Sequence, residues 1–222
     1  METKTSNAPP AEETSNLPPF SCLYFGFASN LSPRTLQQRC PGSLYVGLAA
    51  LEGWKFIIAE SGFGNIVPTG DCDDVVYGTL HFLTAQHEAA LDKSEEIDWW
   101  HVKRKVKVRR IELDSQGKVV EPAATGGGEQ YGQVEATTYV DVERTTPGIM
   151  SKEYIVFIRK AIEDGLRCGV PQAYFDRYWK QYLPEDEMVG REEKIVMLRT
   201  IQMDKENTKY VPNDVLKLAT KQ

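Results

Sequence analysis

YFGFASNLSPRTL, residues 24–36, sets the reading of this chain. Its first half is apolar and aromatic, as expected of a buried strand over 22–28. Ser32 followed by Pro33 then reads as a helix start. A serine oxygen at the N-cap accepts from an unpaired backbone N–H, and proline at the first helical position gives up a donor that has no partner there. The helix is predicted to run through Arg39. Ala28, Ser29 and Asn30 fall between strand and helix, either as a plain turn or as a loop whose backbone donors receive an anionic ligand.

Working outward, further strands are predicted over 54–60, 75–83, 100–113 and 134–142, the third because Val102, Val106 and Val108 alternate with Lys103, Lys105, Lys107 and Arg109. Segments 62–65 and 68–71 carry turn chemistry, and the Gly-rich stretch EPAATGGGEQYGQ, 121–133, reads as a hairpin loop. Thr84 caps a helix ending near Glu95 or Glu96. Ser151 caps another, in which Ile155, Ile158 and Ile162 share a face and Gly165 begins the exit, and Pro171 opens a last one. Strands interrupted by single helices, without regular βαβ alternation, favour a mixed α+β domain over a doubly wound sheet. The domain is expected over 21–183. A disordered Pro/Ser/Thr-rich tail over 1–20 precedes it, and a charged extension over 184–222 that retains IVMLRTI packs on it.

At 222 residues the chain can bury a core without metals or disulfides. No apolar run approaches the roughly 20 residues of a membrane span, and the first residues lack a secretory signal, so a soluble protein without a membrane partner is expected. Cys22, Cys40, Cys72 and Cys168 are scattered with no C-x-x-C pair, which fits a reduced, cytoplasmic setting. A net charge of −6 disfavours broad attraction to nucleic-acid phosphates.

Few residues suggest chemistry on their own. Leu91 and Glu95, four apart, share a helix face. If Leu91 anchors that face in the core, Glu95 turns inward, where apolar surroundings would favour its protonated form and tune it for proton transfer. A solvated helix end is the alternative. Ser29 has no G-x-S-x-G around it. His81 sits in a strand, His87 on a polar helix and His101 beside two tryptophans, each read as structural or solvent-facing, and no spacing supports zinc or any other metal. The row from Lys103 to Arg109 resembles a nucleic-acid stripe after Trp99 and Trp100, but the exposed face of one strand explains it equally well.

Taken in order, YFGFASNL, VVYGTLHFL, LDKSEE and GIMSKEYIVFIRKAIEDGLRCGVPQAYFDRY resemble the γ-glutamylcyclotransferase family over roughly 21–183. The family has a YFAYGSNL-like strand and loop, a V-x-G-x-x-(Y/W) strand, an L-D-x-x-E-G segment and a late S-x-x-Y helix. The resemblance implies a compact mixed β-barrel with flanking helices. It also implies conversion of a small-molecule γ-glutamyl substrate to 5-oxoproline plus the released amine or amino acid, with no cofactor. It places the catalytic carboxylate on Glu95. The substrate loop falls on Tyr24, Phe25, Gly26, Phe27, Ala28, Ser29 and Asn30, with Tyr154 and Tyr139 as further substrate contacts. A homodimer is a further expectation.

In that reaction the substrate's own α-amine attacks its γ-carbonyl, so no enzyme nucleophile or hydrolytic water is needed. Glu95 would take the ammonium proton and deliver one to the leaving nitrogen, while loop amides of residues 28–30 hold the substrate carboxylate or the oxyanion. Three positions depart from the family pattern. Ala28 and Glu96 stand where it has glycine, and Phe27 replaces a tyrosine. The FGNIVP and VVYG segments resemble a fungal-type variant, whose substrate would be a γ-glutamyl amino acid or peptide, or a γ-glutamyl group on a glutathione-derived secondary metabolite. A catalytically weakened member that binds a ligand or a protein through the same pocket is the competing reading.

Overall fold

The structure, a computed structural model, describes residues 19–97, 100–114, 119–120 and 132–184. Nearly all of the expected tail and extension, and the Gly-rich loop up to Tyr131, lie outside them. In chain order the elements are β1 (Cys22–Gly26), a 3-10 turn (Ala28–Leu31), α1 (Pro33–Arg39), β2 (Leu44–Glu52), β3 (Trp54–Ile58), β4 (Gly64–Pro68), β5 (Val75–Leu83), α2 (Ala85–Ser94), β6 (Val102–Arg110), β7 (Glu112–Leu113), β8 (Val119–Val120), β9 (Gln133–Val140), α3 (Lys152–Arg167), α4 (Gln172–Tyr178) and a 3-10 turn (Lys180–Tyr182).

Five strands close into a barrel in the order β1, β5, β2, β6, β9. β1 and β9 close it by a parallel contact at Tyr24 and Thr137, and the other pairs are antiparallel, so the barrel is mixed. Strands β3 and β4 form a separate ribbon. No helix among the described residues is long and apolar enough to cross a membrane.

The main core fills the barrel and continues under α3 and α4, with Phe25, Leu31, Phe56, Ile58, Leu80, Val108, Ile158 and Trp179 buried. Helix α3 presents Tyr154, Ile158, Ala161 and Gly165 inward at helical spacing. Ile158 is fully covered, and Ile155 and Ile162 flank it as partly buried residues. Gly165 does not begin the helix exit as expected. It lies within α3 and lets neighbours close in, since a Cβ there would come within 2.8 Å of the Phe175 ring and 2.9 Å of Leu31. A smaller cluster of Tyr24, Leu36, Cys40, Leu83, Leu91 and Tyr139 joins α1 and α2 to one side of the barrel.

Helix α1 is tied to α3 by a buried polar knot. The Asp164 carboxylate accepts from Ser32 Oγ (2.5 Å) and from Arg34 Nε (2.9 Å), and Arg34 Nη2 also donates to it. Ser32 in turn caps α1, its oxygen accepting from the Thr35 amide at 3.1 Å. This knot fixes where the loop before α1 can lie.

Candidate active site

The loop after β1 is folded back on the strand it leaves. A Cβ on Gly26 would lie 2.6 Å from the Asn30 carbonyl oxygen, so the close return needs glycine there. Thr79 on β5 stands beneath the turn, its hydroxyl 3.3 Å from the carbonyls of both Asn30 and Leu31. The chain enters the turn through Ala28 at φ +51°. An L-residue in this region costs roughly 1 kcal/mol or more. The Ala28 methyl is accommodated because residue 64 is glycine, where a Cβ would sit 2.7 Å from it and 2.9 Å from Tyr154 Oη.

Two of the three amides of the expected cradle already have partners within the protein. The Asn30 amide is spent within the turn on the Phe27 carbonyl (2.9 Å), and the Ser29 amide donates to Tyr154 Oη at 3.4 Å. What the turn presents instead is the Asn30 side chain. Its Nδ2 donates to Tyr24 Oη (2.9 Å) and to Glu95 Oε1 (3.1 Å), while its Oδ1 accepts from Arg39 Nη1 (3.1 Å).

Glu95 arrives from α2. Thr84 caps that helix by accepting from the His87 amide, and Leu91 is fully buried, as the sequence pattern requires. Glu95 is the C-cap residue, and its carboxylate does not enter apolar surroundings as expected. Oε1 accepts from Asn30 and also from Arg39 Nη1 at 3.3 Å. Arg39 is the last residue of α1, so the three segments that meet here each contribute one polar side chain.

These groups border a cavity of about 440 Å³ lined by Tyr24, Phe27, Ala28, Ser29, Asn30, Glu95, Tyr139 and Tyr154, together with Arg39, Phe63, Gly64, Ser94, Glu96, Trp100, His101 and Phe157. Burial is the main reason the Tyr24 phenol is held well above its ordinary pKa, with the Glu95 charge second. Burial also raises that of Tyr154, against opposing hydrogen bonds from Ser29 and Gly64. Tyr139 is raised by burial and by its bond to Asp92 Oδ1 at 2.6 Å. All three phenols are therefore neutral hydrogen-bonding groups rather than bases.

Two predicted loop residues are not in this wall. Phe25 alternates to the other face of β1 and is fully buried in the barrel core, where its ring occupies the space a Cβ on Gly78 would need. Gly26 serves the return of the turn.

Sequence reasoning missed Arg39, because a basic residue in the last turn of a helix is ordinarily explained by the helix dipole. His101, read as structural or solvent-facing, lines the cavity and donates from Nδ1 to the Glu95 carbonyl at 2.7 Å. His81 and His87 are placed elsewhere. His81 is buried against Thr79, and His87 bonds to the backbone of Pro41 and Thr84. Of the basic row, Lys103 is neutralised by Glu88 and Asp92, and Arg109 by Glu52. Asp71, Cys72 and Asp73 stand together on an exposed turn, with ligand atoms close enough for a metal, and none of them lines the cavity.

No protein-family model matches the sequence, and no curated protein matches it significantly. Solved structures do match. The human protein solved as "uncharacterized protein loc79017" superposes with a TM-score of 0.57 at 19% identity, over 80% of this chain and 98% of that one. A structure named "Gamma-glutamyl cyclotransferase" gives a TM-score of 0.56 at 20% identity, again over 80% and 98%. By its fold, with its closed mixed barrel and flanking helices, this chain is γ-glutamylcyclotransferase-like.

Proposed function

We propose that this chain is a γ-glutamylcyclotransferase with Glu95 as its proton carrier. The observation that carries the reading is the meeting of Asn30, Arg39 and Glu95 at the cavity wall. The substrate α-ammonium gives a proton to Glu95, and the freed amine attacks the γ-carbonyl carbon. The new C–N bond closes the five-membered ring as the old amide C–N bond breaks. Glu95 returns the proton to the leaving nitrogen and then passes on to it the second proton shed by the ring nitrogen, so 5-oxoproline and an ammonium product are released and no water is consumed. The Arg39 bonds to Asn30 and Glu95 both leave from Nη1, so the other edge of its guanidinium can receive the substrate carboxylate in place of the occupied Ser29 and Asn30 amides.

The cavity mouth bears on the leaving group. Phe63, Trp100 and Phe157 all line it and are 46%, 39% and 45% exposed, a costly arrangement for aromatics unless they meet an apolar ligand. Arg144 stacks on the Trp100 ring at 4.1 Å, donates to its carbonyl at 3.2 Å, and is itself held by buried Asp141. This rim supports a γ-glutamyl group attached to a bulky apolar conjugate, of the kind a glutathione-derived secondary metabolite presents, over a small γ-glutamyl amino acid. The reading also takes the enzyme as cytoplasmic, with its domain over 21–183.

The test is 5-oxoproline release from γ-glutamylalanine, glutathione and a glutathione S-conjugate with an aromatic substituent. The reading expects release, fastest per unit concentration with the conjugate. The positive φ at both Ala28 and Glu96 favours a second reading, a binding module with a reshaped site. Saturable binding of the conjugate with no release would select it.

A further inference from the structure

Glu96 has φ +47° and is exposed. A residue with a Cβ is strained in this left-handed region, so the bend immediately after Glu95 tends to relax unless something holds it. Two backbone bonds of the α2 C-terminus close it locally, from the Glu96 amide to the Lys93 carbonyl at 3.4 Å and from the Ile97 amide to the Asp92 carbonyl at 3.3 Å, both long. Two shorter contacts from one segment reinforce it. The Trp100 amide donates to the Glu96 carbonyl at 2.8 Å, and His101 Nδ1 donates to the Glu95 carbonyl at 2.7 Å.

The His101 contact is specific. A carbonyl can only accept, so the proton of the neutral ring is fixed on Nδ1. The same nitrogen lies 3.9 Å from Glu95 Oε2, the carboxylate oxygen to which Asn30 and Arg39 do not donate. The ring therefore grips the main chain of Glu95 from the side of the oxygen left for substrate. Meanwhile Asn30 and Arg39 hold the other oxygen. Relaxation of the bend would rotate the carboxylate away from both partners.

We propose that His101 is a positioning residue for Glu95, a brace across the strained bend at Glu96 that does the work glycine's conformational freedom would otherwise do. The proposal rests on the reading of Glu95 as the proton carrier, and its test separates the two. Asparagine at 101 can place an amide N–H near the position of Nδ1 without a titratable ring, whereas alanine removes the donor.

The experiment measures kcat and KM for 5-oxoproline release from the glutathione S-conjugate by the full chain, with folding checked by near-UV circular dichroism. The variants are His101→Ala, His101→Asn, Glu96→Gly, the Glu96→Gly/His101→Ala double and Glu95→Gln. The brace predicts that His101→Ala lowers kcat by about 10- to 100-fold, the loss expected for a misplaced catalytic group, with KM little changed. It predicts that His101→Asn restores most of the rate with the wild-type pH profile. It also predicts that the effect of His101→Ala shrinks when measured in the Glu96→Gly background, since a glycine holds the bend unaided.

Wild-type kcat in His101→Ala, no rescue by His101→Asn, or an undiminished effect in the glycine background would each overturn the proposal. Wild-type release by Glu95→Gln would instead remove the reading of Glu95 on which the brace depends.

Discussion

Asn30 and Glu95, 65 residues apart in sequence, are joined by a 3.1 Å hydrogen bond from Nδ2 to Oε1. The bond links the turn after β1 to the end of α2, and each partner is held by further bonds. Asn30 is fixed by Tyr24 and Arg39, and Glu95 by Arg39 and by the grip of His101 on its carbonyl. The carboxylate is thus oriented before any substrate enters, as its proposed role of proton carrier requires.

Replacing Asn30 by alanine removes a donor from Tyr24 Oη, which is buried, and from Glu95 Oε1. Leaving buried polar groups unsatisfied costs about 1–3 kcal/mol of stability. Urea denaturation should show that loss. The rate of 5-oxoproline release should fall with it even at temperatures where the variant is fully folded.

A methyl at residue 64 should damage the site from below. Gly64→Ala would place its Cβ 2.7 Å from the Ala28 methyl, 2.9 Å from Tyr154 Oη and 3.0 Å from the Phe56 ring. Overpacking of this kind costs about 1–3 kcal/mol. Thermal unfolding should register it, and Ala28→Gly in the same chain should recover part of the loss because it removes the opposing methyl.

The knot between α1 and α3 predicts a larger effect. Asp164→Ala takes from the Arg34 guanidinium, only 10% exposed, the buried carboxylate that accepts from both its Nε and Nη2, leaving Glu163 Oε2 at 3.7 Å. Breaking one half of a buried pair costs about 3–5 kcal/mol. Equilibrium denaturation should show this loss, and an unchanged midpoint would contradict the buried-pair description.

How legible these features were in the sequence depended on how local they are. The caps at Ser32 and Thr84, and strands β5, β6 and β9, follow from short-range rules, and the order of motifs placed Glu95, Tyr24, Asn30 and Tyr154. Strand β2 escaped because LYVGLAALE shows no alternation and Gly47 interrupts it at a register shift. Strand β4 escaped because its opening Gly64-Asn65 also reads as a turn. Arg39 and His101 were hidden for another reason. Their roles depend on which carbonyl or carboxylate the fold brings to them, and nothing in the neighbouring residues encodes that.

His81 predicts a pH dependence of folding. It is fully buried, its Nε2 lies 3.2 Å from Thr79 Oγ1, its Nδ1 has no partner among the described residues, and burial pushes its pKa down from 6.5 to about 3. Between those values the unfolded chain binds a proton that the folded chain does not. Stability from this group is therefore complete above about pH 6.5 and is lost progressively as pH falls toward 3. Denaturation midpoints of wild type and His81→Gln, followed over this range, should converge as the solution is acidified.

The central claim is that the carboxylate of Glu95 carries the proton. The most direct measurement is 5-oxoproline release from the aromatic glutathione S-conjugate by wild type and by folded Glu95→Gln at equal concentration. Glutamine keeps the shape and can still accept from Asn30, but it cannot exchange a proton. The account predicts release by wild type and a loss of at least about 100-fold in the variant, within the range a positioned acid or base supplies. Equal rates in the two proteins would contradict it.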